Sequence, residues 1–256
     1  MDAPIRILFA SSEVTPFARV SEMSDLIRCV PEYLHESGRF ESRIMMPRYG
    51  IISERRNRLH EVIRLSGSRI PLGEEGETLK VKVASIPGIR LQVYFMDNVK
   101  YFKRKGVYQG RDSVVFPDNI VRSLLFARSV LTTAGNLGWS PDVVHAHGWI
   151  ASLLPVLLKT EYAENPLFQR SQVLYSRDGF TSDERLSAEM VEAFGLGSPD
   201  PLVDRPLEEI AADFADVLVS GVESDDDVVA LTGTPEEITE QALSLYGQQT
   251  GSTVEA

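Results

Sequence analysis

Short apolar runs alternate with helical stripes along this chain, and that rhythm limits the possible folds more than any other feature. Ile5-Arg6-Ile7-Leu8-Phe9-Ala10 has strand length and β-branched members, so it reads as a buried strand. Ser11-Ser12-Glu13 break the run. Met23, Leu26, Ile27, Val30 and Leu34 then recur at helical spacing, and Gly38 stands where such a helix ends. Arg43-Ile44-Met45-Met46, closed by Pro47, is a second strand. Strand–helix–strand implies a parallel pair and a right-handed crossover.

The middle of the chain changes period. Thr78-Leu79-Lys80-Val81-Lys82-Val83 and Arg90-Leu91-Gln92-Val93-Tyr94-Phe95 each alternate polar and apolar residues, with Pro87-Gly88 between them. They predict an antiparallel hairpin. The α/β rhythm then resumes. Residues 117–136 carry Val121, Leu124, Leu125, Leu131 and Ala134 on one stripe, and Asp142-Val143-Val144-His145-Ala146 is a strand. A helix through Leu153, Leu154, Leu157 and Leu158 follows, then a strand over 172–175, a helix over 208–215, a strand over 216–219 and a helix over 235–246. The pattern predicts one doubly wound, mostly parallel Rossmann-like α/β domain over residues 1–246 with an inserted antiparallel hairpin. Residues 247–256 are expected to be a flexible polar tail.

Hydrophobic residues make up 43% of 256 residues, enough for a large core. Lys and Arg total 26 against 37 Asp and Glu, a net charge of −11, so neither nucleic acid nor an anionic membrane is expected as a partner. The arginines at 43, 48, 55, 56 and 58 read as a solvated face. Cys29 is the sole cysteine, so no intrachain disulfide can form. No apolar run reaches the ~18 residues of a membrane span. The start, Met1-Asp2-Ala3-Pro4, lacks the basic region of a signal peptide, and a cytoplasmic location is expected.

In an open α/β sheet, ligands bind beyond the carboxyl ends of the strands. The candidate loops are therefore residues 11–22, 47–50, 147–149 and 176–181. The first contains no glycine, although a phosphate cradle normally needs one for close backbone approach. It offers Arg19 as a cation beside Glu13 and Glu22, or it is a plain connection. His145 and His147 share a face if their strand persists. They form a pocket wall, satisfied core histidines or a metal pair, but no third ligand stands at useful spacing, and neither metal nor cofactor is expected. Trp149 belongs to the core or offers a stacking surface. Asp118-Asn119 after Pro117 caps a helix or contacts sugar hydroxyls. Arg177-Asp178-Gly179 is an ion couple or a turn, and Asp225-Asp226-Asp227 suits a helix N-terminus.

Several of these segments together resemble the N-terminal half of bacterial glycogen synthases and plant starch synthases, the ADP-glucose-using glycosyltransferases of the GT-B fold. The matching stretches are residues 7–18, Met46-Pro47-Arg48-Tyr49-Gly50, residues 93–98, Pro117-Asp118-Asn119 with Arg122, and residues 138–149. Ala215-Asp216-Val217 with Val219-Ser220 resembles the family's last strand of that domain.

The resemblance implies a sugar nucleotide or a glucan as ligand. Asp118, Asn119, His147 and Trp149 would lie on the acceptor side, and Arg19 would be an anion contact. It also implies a second GT-B domain that these residues do not contain, so a protein partner or a second copy is expected on the face where that domain would dock. Two departures bear on activity. The family's Lys-x-Gly-Gly becomes Arg19-Val20-Ser21-Glu22, and its Asp-Trp-His becomes Gly148-Trp149-Ile150. The expectation is a binding or regulatory domain with no assigned catalytic residue. The alternative is an ADP-glucose-dependent transferase working as one chain of two or as a homodimer.

Overall fold

The computed structural model describes residues 3–89, 91–177, 179–198, 200–222 and 227–248. Arg90, Asp178, Asp225, Asp226 and the tail beyond Gln248 lie outside these residues. The opening is β1 (Ile5–Ser11), α1 (Met23–Glu36) and β2 (Phe40–Pro47), with β1 and β2 parallel in the register Ile7↔Ser42 and Phe9↔Ile44. Ile7, Leu8, Phe9 and Ala10 are fully buried, as a central parallel strand covered on both faces requires.

Small elements that carry no strong periodicity follow: α2 (Glu54–Asn57), β3 (His60–Glu61) and β4 (Ser68–Leu72). Then come β5 (Glu75–Ser85) and β6 (Gln92–Asp97), the predicted antiparallel hairpin, longer at its first strand than the alternation suggested. Next are α3 (Asn119–Leu137), β7 (Val143–His147), α4 (Leu153–Lys159), β8 (Gln172–Ser176), α5 (Ala188–Phe194) and α6 (Leu207–Phe214). The last elements are β9 (Val217–Ser220), β10 (Val228–Ala230) and α7 (Pro235–Gln248), so the final helix runs through Gly247 and Gln248.

The sheet order is β10-β9-β8-β7-β1-β2-β6-β5-β3, with β4 paired to β5. Every pair from β10 to β6 is parallel, and the pairs made by β5 are antiparallel. The fold is thus α/β, doubly wound and mostly parallel, with the hairpin at one edge. α1 packs with α7, while α3, α4 and α6 pack in a row. Right-handed crossovers from β1 toward β2 and from β6 toward β7 run in opposite directions along the sheet, which places the two helix groups on opposite faces. No helix among the described residues is long and apolar enough to cross a membrane.

Candidate binding cleft

β1 is paired with β2 on one side and β7 on the other, and the chain winds away from it in both directions. The loops that leave β1 and β7 therefore part at the topological switch point, where such sheets bind ligands. Two glycines let the loops close on each other there. Gly148 has φ +74, and a Cβ on it would stand 2.8 Å from Ser12 Oγ. Gly179 has φ +104, and a Cβ on it would stand 3.0 Å from Ser21 Oγ and 3.1 Å from Met23 Cε. Met23 lies between the two glycines. Glu22 is exposed, and Ile150 is fully buried in the core.

The loop after β1 is organised around Glu13, a carboxylate only 1% exposed. Its Oε2 accepts the backbone N–H groups of Val20 and Ser21, the latter at 2.8 Å, and Oε1 accepts the Ser21 hydroxyl at 2.7 Å. Ser21 Oγ in turn accepts the N–H of Met23, at the first turn of α1. Arg19 points outward and pairs with Asp25 at 2.9 Å. This is more than the plain strand–helix connection that the sequence allowed. The amide donors at positions 20 and 21 converge on an anion, and the anion is the chain's own.

His145 and His147 share one face of β7, as the alternation requires, with ring centroids 3.6 Å apart. His145 is held at both nitrogens, Nδ1 against the Tyr246 hydroxyl at 2.7 Å and Nε2 against Ser176 Oγ at 2.9 Å. Neither nitrogen is free for a metal. No group of three or more His, Cys, Asp or Glu among the described residues is placed to hold one. His147 lies against Phe9 and has no hydrogen-bond partner at either nitrogen. Burial holds both imidazoles neutral. It pushes His147 down to about 3, and His145 well below its usual range with help from the neighbouring ring.

Trp149 opens a 3-10 turn (Trp149–Ala151) rather than the helix itself and is fully buried. Tyr108 meets it edge-on at 6.2 Å and stacks on Phe180 at 4.1 Å. Sequence reasoning missed Tyr108 and Phe180, because an aromatic residue in an irregular segment carries no periodic signal. Tyr108 links the two halves of the cleft. Its ring packs on Trp149, and its carbonyl accepts the Asn119 amide at 3.0 Å.

Asp118 occupies the N-cap position of α3 without making a cap hydrogen bond. This corrects the capping expectation. The carboxylate is drawn instead into a bidentate pair with Arg104, at 2.6 and 2.5 Å. Asn119 Oδ1 accepts from Arg122, a fully buried cation that also donates to the Tyr101 carbonyl at 2.9 Å. The Phe116 ring lies 5.1 Å from its guanidinium. The structure thus gathers Asn119 and Trp149 around Tyr108, while His147 packs on Phe9 and His145. Asp118 stands at the rim, and Arg19 is on a separate loop.

The starch synthase catalytic domain family matches residues 6–206. The chain belongs to that family. Glycogen synthase of Chlorobium luteolum is 45% identical over 168 residues, covering 64% of this chain and 34% of that protein. Glycogen synthase of Chlorobaculum parvum is 41% identical over 175 residues, covering 67% and 35%. The chain therefore spans about a third of the length of these relatives. The catalytic domain of starch synthase IV from Arabidopsis thaliana, solved bound to ADP and acarbose, matches with TM-score 0.69 at 18% identity. That match covers 96% of this chain and 50% of that one, so the shared fold is the GT-B type of this family.

Proposed function

We propose that this starch synthase-family domain binds carbohydrate or a nucleotide sugar, in a binding or regulatory role, and does not transfer glucose by itself. The observation that carries this reading is Ser21, which stands where the family pattern has glycine and ties its hydroxyl to Glu13, whose carboxylate also sits on the amides of Val20 and Ser21. In the family pattern this loop holds the diphosphate. Transfer depends on stabilising charge on that departing group. Here the converging donors are already taken by an internal anion, and Arg19 is neutralised by Asp25. A diphosphate would have to displace both.

The acceptor-side groups of the proposal are Asp118, Asn119, His147 and Trp149. Trp149 is fully buried against Tyr108 and Phe180, so a ligand reaches it by displacing the segment at Phe180. Calorimetric titration with maltooligosaccharides, ADP and ADP-glucose, together with glucan-primer extension, tests the reading. Oligosaccharide binding without extension is expected. Extension of a primer by the purified chain alone would refute it.

A second reading, a transferase completed by another chain or a second copy, has its own support. Val20, Ile51, Val99, Val114 and Val222 are 48–67% exposed. They sit on loops that follow the carboxyl ends of β1, β2, β6 and β9, the edge that a second lobe would cover. Sedimentation at high concentration tests this reading, and a strictly monomeric chain would count against the homodimer.

A further inference from the structure

A cavity of about 520 Å³ opens at the carboxyl ends of β8 and β9, beside the switch-point crevice. That volume lies within the range of small-molecule sites. Its walls carry Arg177 just past β8, Thr181, Ser182 and Asp183 on the following segment, and Glu208 and Glu209 in the first turn of α6. Among the described residues, one guanidinium faces three carboxyl groups, a balance that repels a diphosphate. Mixed carboxyl, guanidinium and hydroxyl groups suit a ligand that both donates and accepts hydrogen bonds.

Glu208 is the unusual member. It is 9% exposed, and its Oε1 has no hydrogen-bond partner. A buried carboxyl oxygen left unpaired is costly, and a ligand hydroxyl in the cavity would satisfy it. No group of three or more His, Cys, Asp or Glu among the described residues is placed to hold a metal ion.

We propose, resting on the carbohydrate-binding reading above, that this cavity is a distinct subsite for an uncharged sugar ring, with Glu208 as its anchoring hydrogen-bond partner in the protonated form. Burial already raises the Glu208 carboxyl to about 7, against the opposing pull of the Ser182 backbone and the Arg177 charge. Asp183 and Glu209 line the same walls, and the Tyr175 phenol on β8 feels the Glu208 charge. A neutral ligand strips the remaining water from the carboxyl and supplies no counter-charge. It therefore favours the protonated acid, and binding must weaken as pH rises through 7. An organic cation would act in the opposite direction, by favouring the carboxylate.

The test is calorimetric titration of the full chain with maltotriose from pH 6 to 8.5, repeated with spermidine. For maltotriose, the dissociation constant should rise by up to tenfold per pH unit above 7. Glu208→Gln, which mimics the neutral acid, should bind with its affinity retained and without pH dependence. Glu208→Ala should lose tenfold or more. Maltotriose binding that is flat with pH, or a Gln variant as weak as the Ala variant, overturns the subsite. So does spermidine binding that strengthens with pH while maltotriose fails to bind. If maltotriose binding ignores Glu208 but is lost in Asn119→Ala, the subsite falls and the carbohydrate reading stands. If neither glucans nor ADP-glucose bind, that reading falls as well.

Discussion

Two neutral imidazoles packed together at the centre of the sheet make the fold sensitive to acid, and His147 allows the effect to be isolated. Its pKa is about 3 in the folded chain against 6.5 for the free side chain, with burial as the cause. A base whose folded value is depressed contributes stability that is present above 6.5 and lost as pH falls toward the folded value. Between pH 6.5 and 3 the unfolded chain holds a proton on this histidine and the folded chain does not. Each pH unit in that window costs about 1.4 kcal/mol. At pH 5 the loss from His147 is therefore about 2 kcal/mol, and His145, shifted in the same direction by burial and by the neighbouring ring, adds to it. Glu208 works the other way, because a raised carboxyl favours the folded state as pH drops from 7 toward 4.5. Comparing a variant with the parent cancels that contribution. His147→Gln removes one titrating base, and both of the nitrogens it replaces already lack partners. Urea unfolding between pH 7 and 5 should show an average pH slope shallower by about 1 kcal/mol per unit in the variant. Equal slopes for parent and variant would refute the assignment of His147 as a neutral buried base.

Glu13→Ala strips two backbone amides and a hydroxyl of their acceptor and should destabilise the chain by about 2–4 kcal/mol in urea unfolding. Glu22→Gly should leave ADP affinity in calorimetry within about threefold, since Glu22 is exposed and its charge acts through water. A gain of a hundredfold would show that this side chain, not Glu13, closes the loop. Asp118→Asn breaks a bidentate pair whose side chains are 26–28% exposed and should cost about 1–2 kcal/mol by the same unfolding measurement.

The sheet was legible because burial on both faces leaves an unmistakable trace. The run at 5–10 could be little else than a buried strand, and the alternation at 78–83 and 90–95 marked an antiparallel hairpin. The short pieces between β2 and β5 left no such trace. Two to five residues hold too few repeats of either period to show a pattern, and they are placed by β5 and by the Ser53 side chain accepting from Arg56. Asp118 shows how a local rule yields to a distant charge. Its position fits a cap, but Arg104, fourteen residues earlier, offers a stronger partner than a backbone amide.

Glu13 marks the limit of reading this site from sequence. Along the chain it is one more carboxylate near a loop that wants an anion, and its expected effect is repulsion at a distance. In three dimensions Glu13 is itself the anion. A strand end that places Glu13 beneath its own loop converts the amides of Val20 and Ser21 from a ligand site into a structural clasp. Repulsion would weaken with salt and vanish on removing a surface charge, whereas occupation by a buried, hydrogen-bonded group does neither. The distinction decides which residue governs the cleft. If the loop is closed by occupation, its affinity for phosphate is set by the stability of the clasp rather than by the protein's net charge of −11.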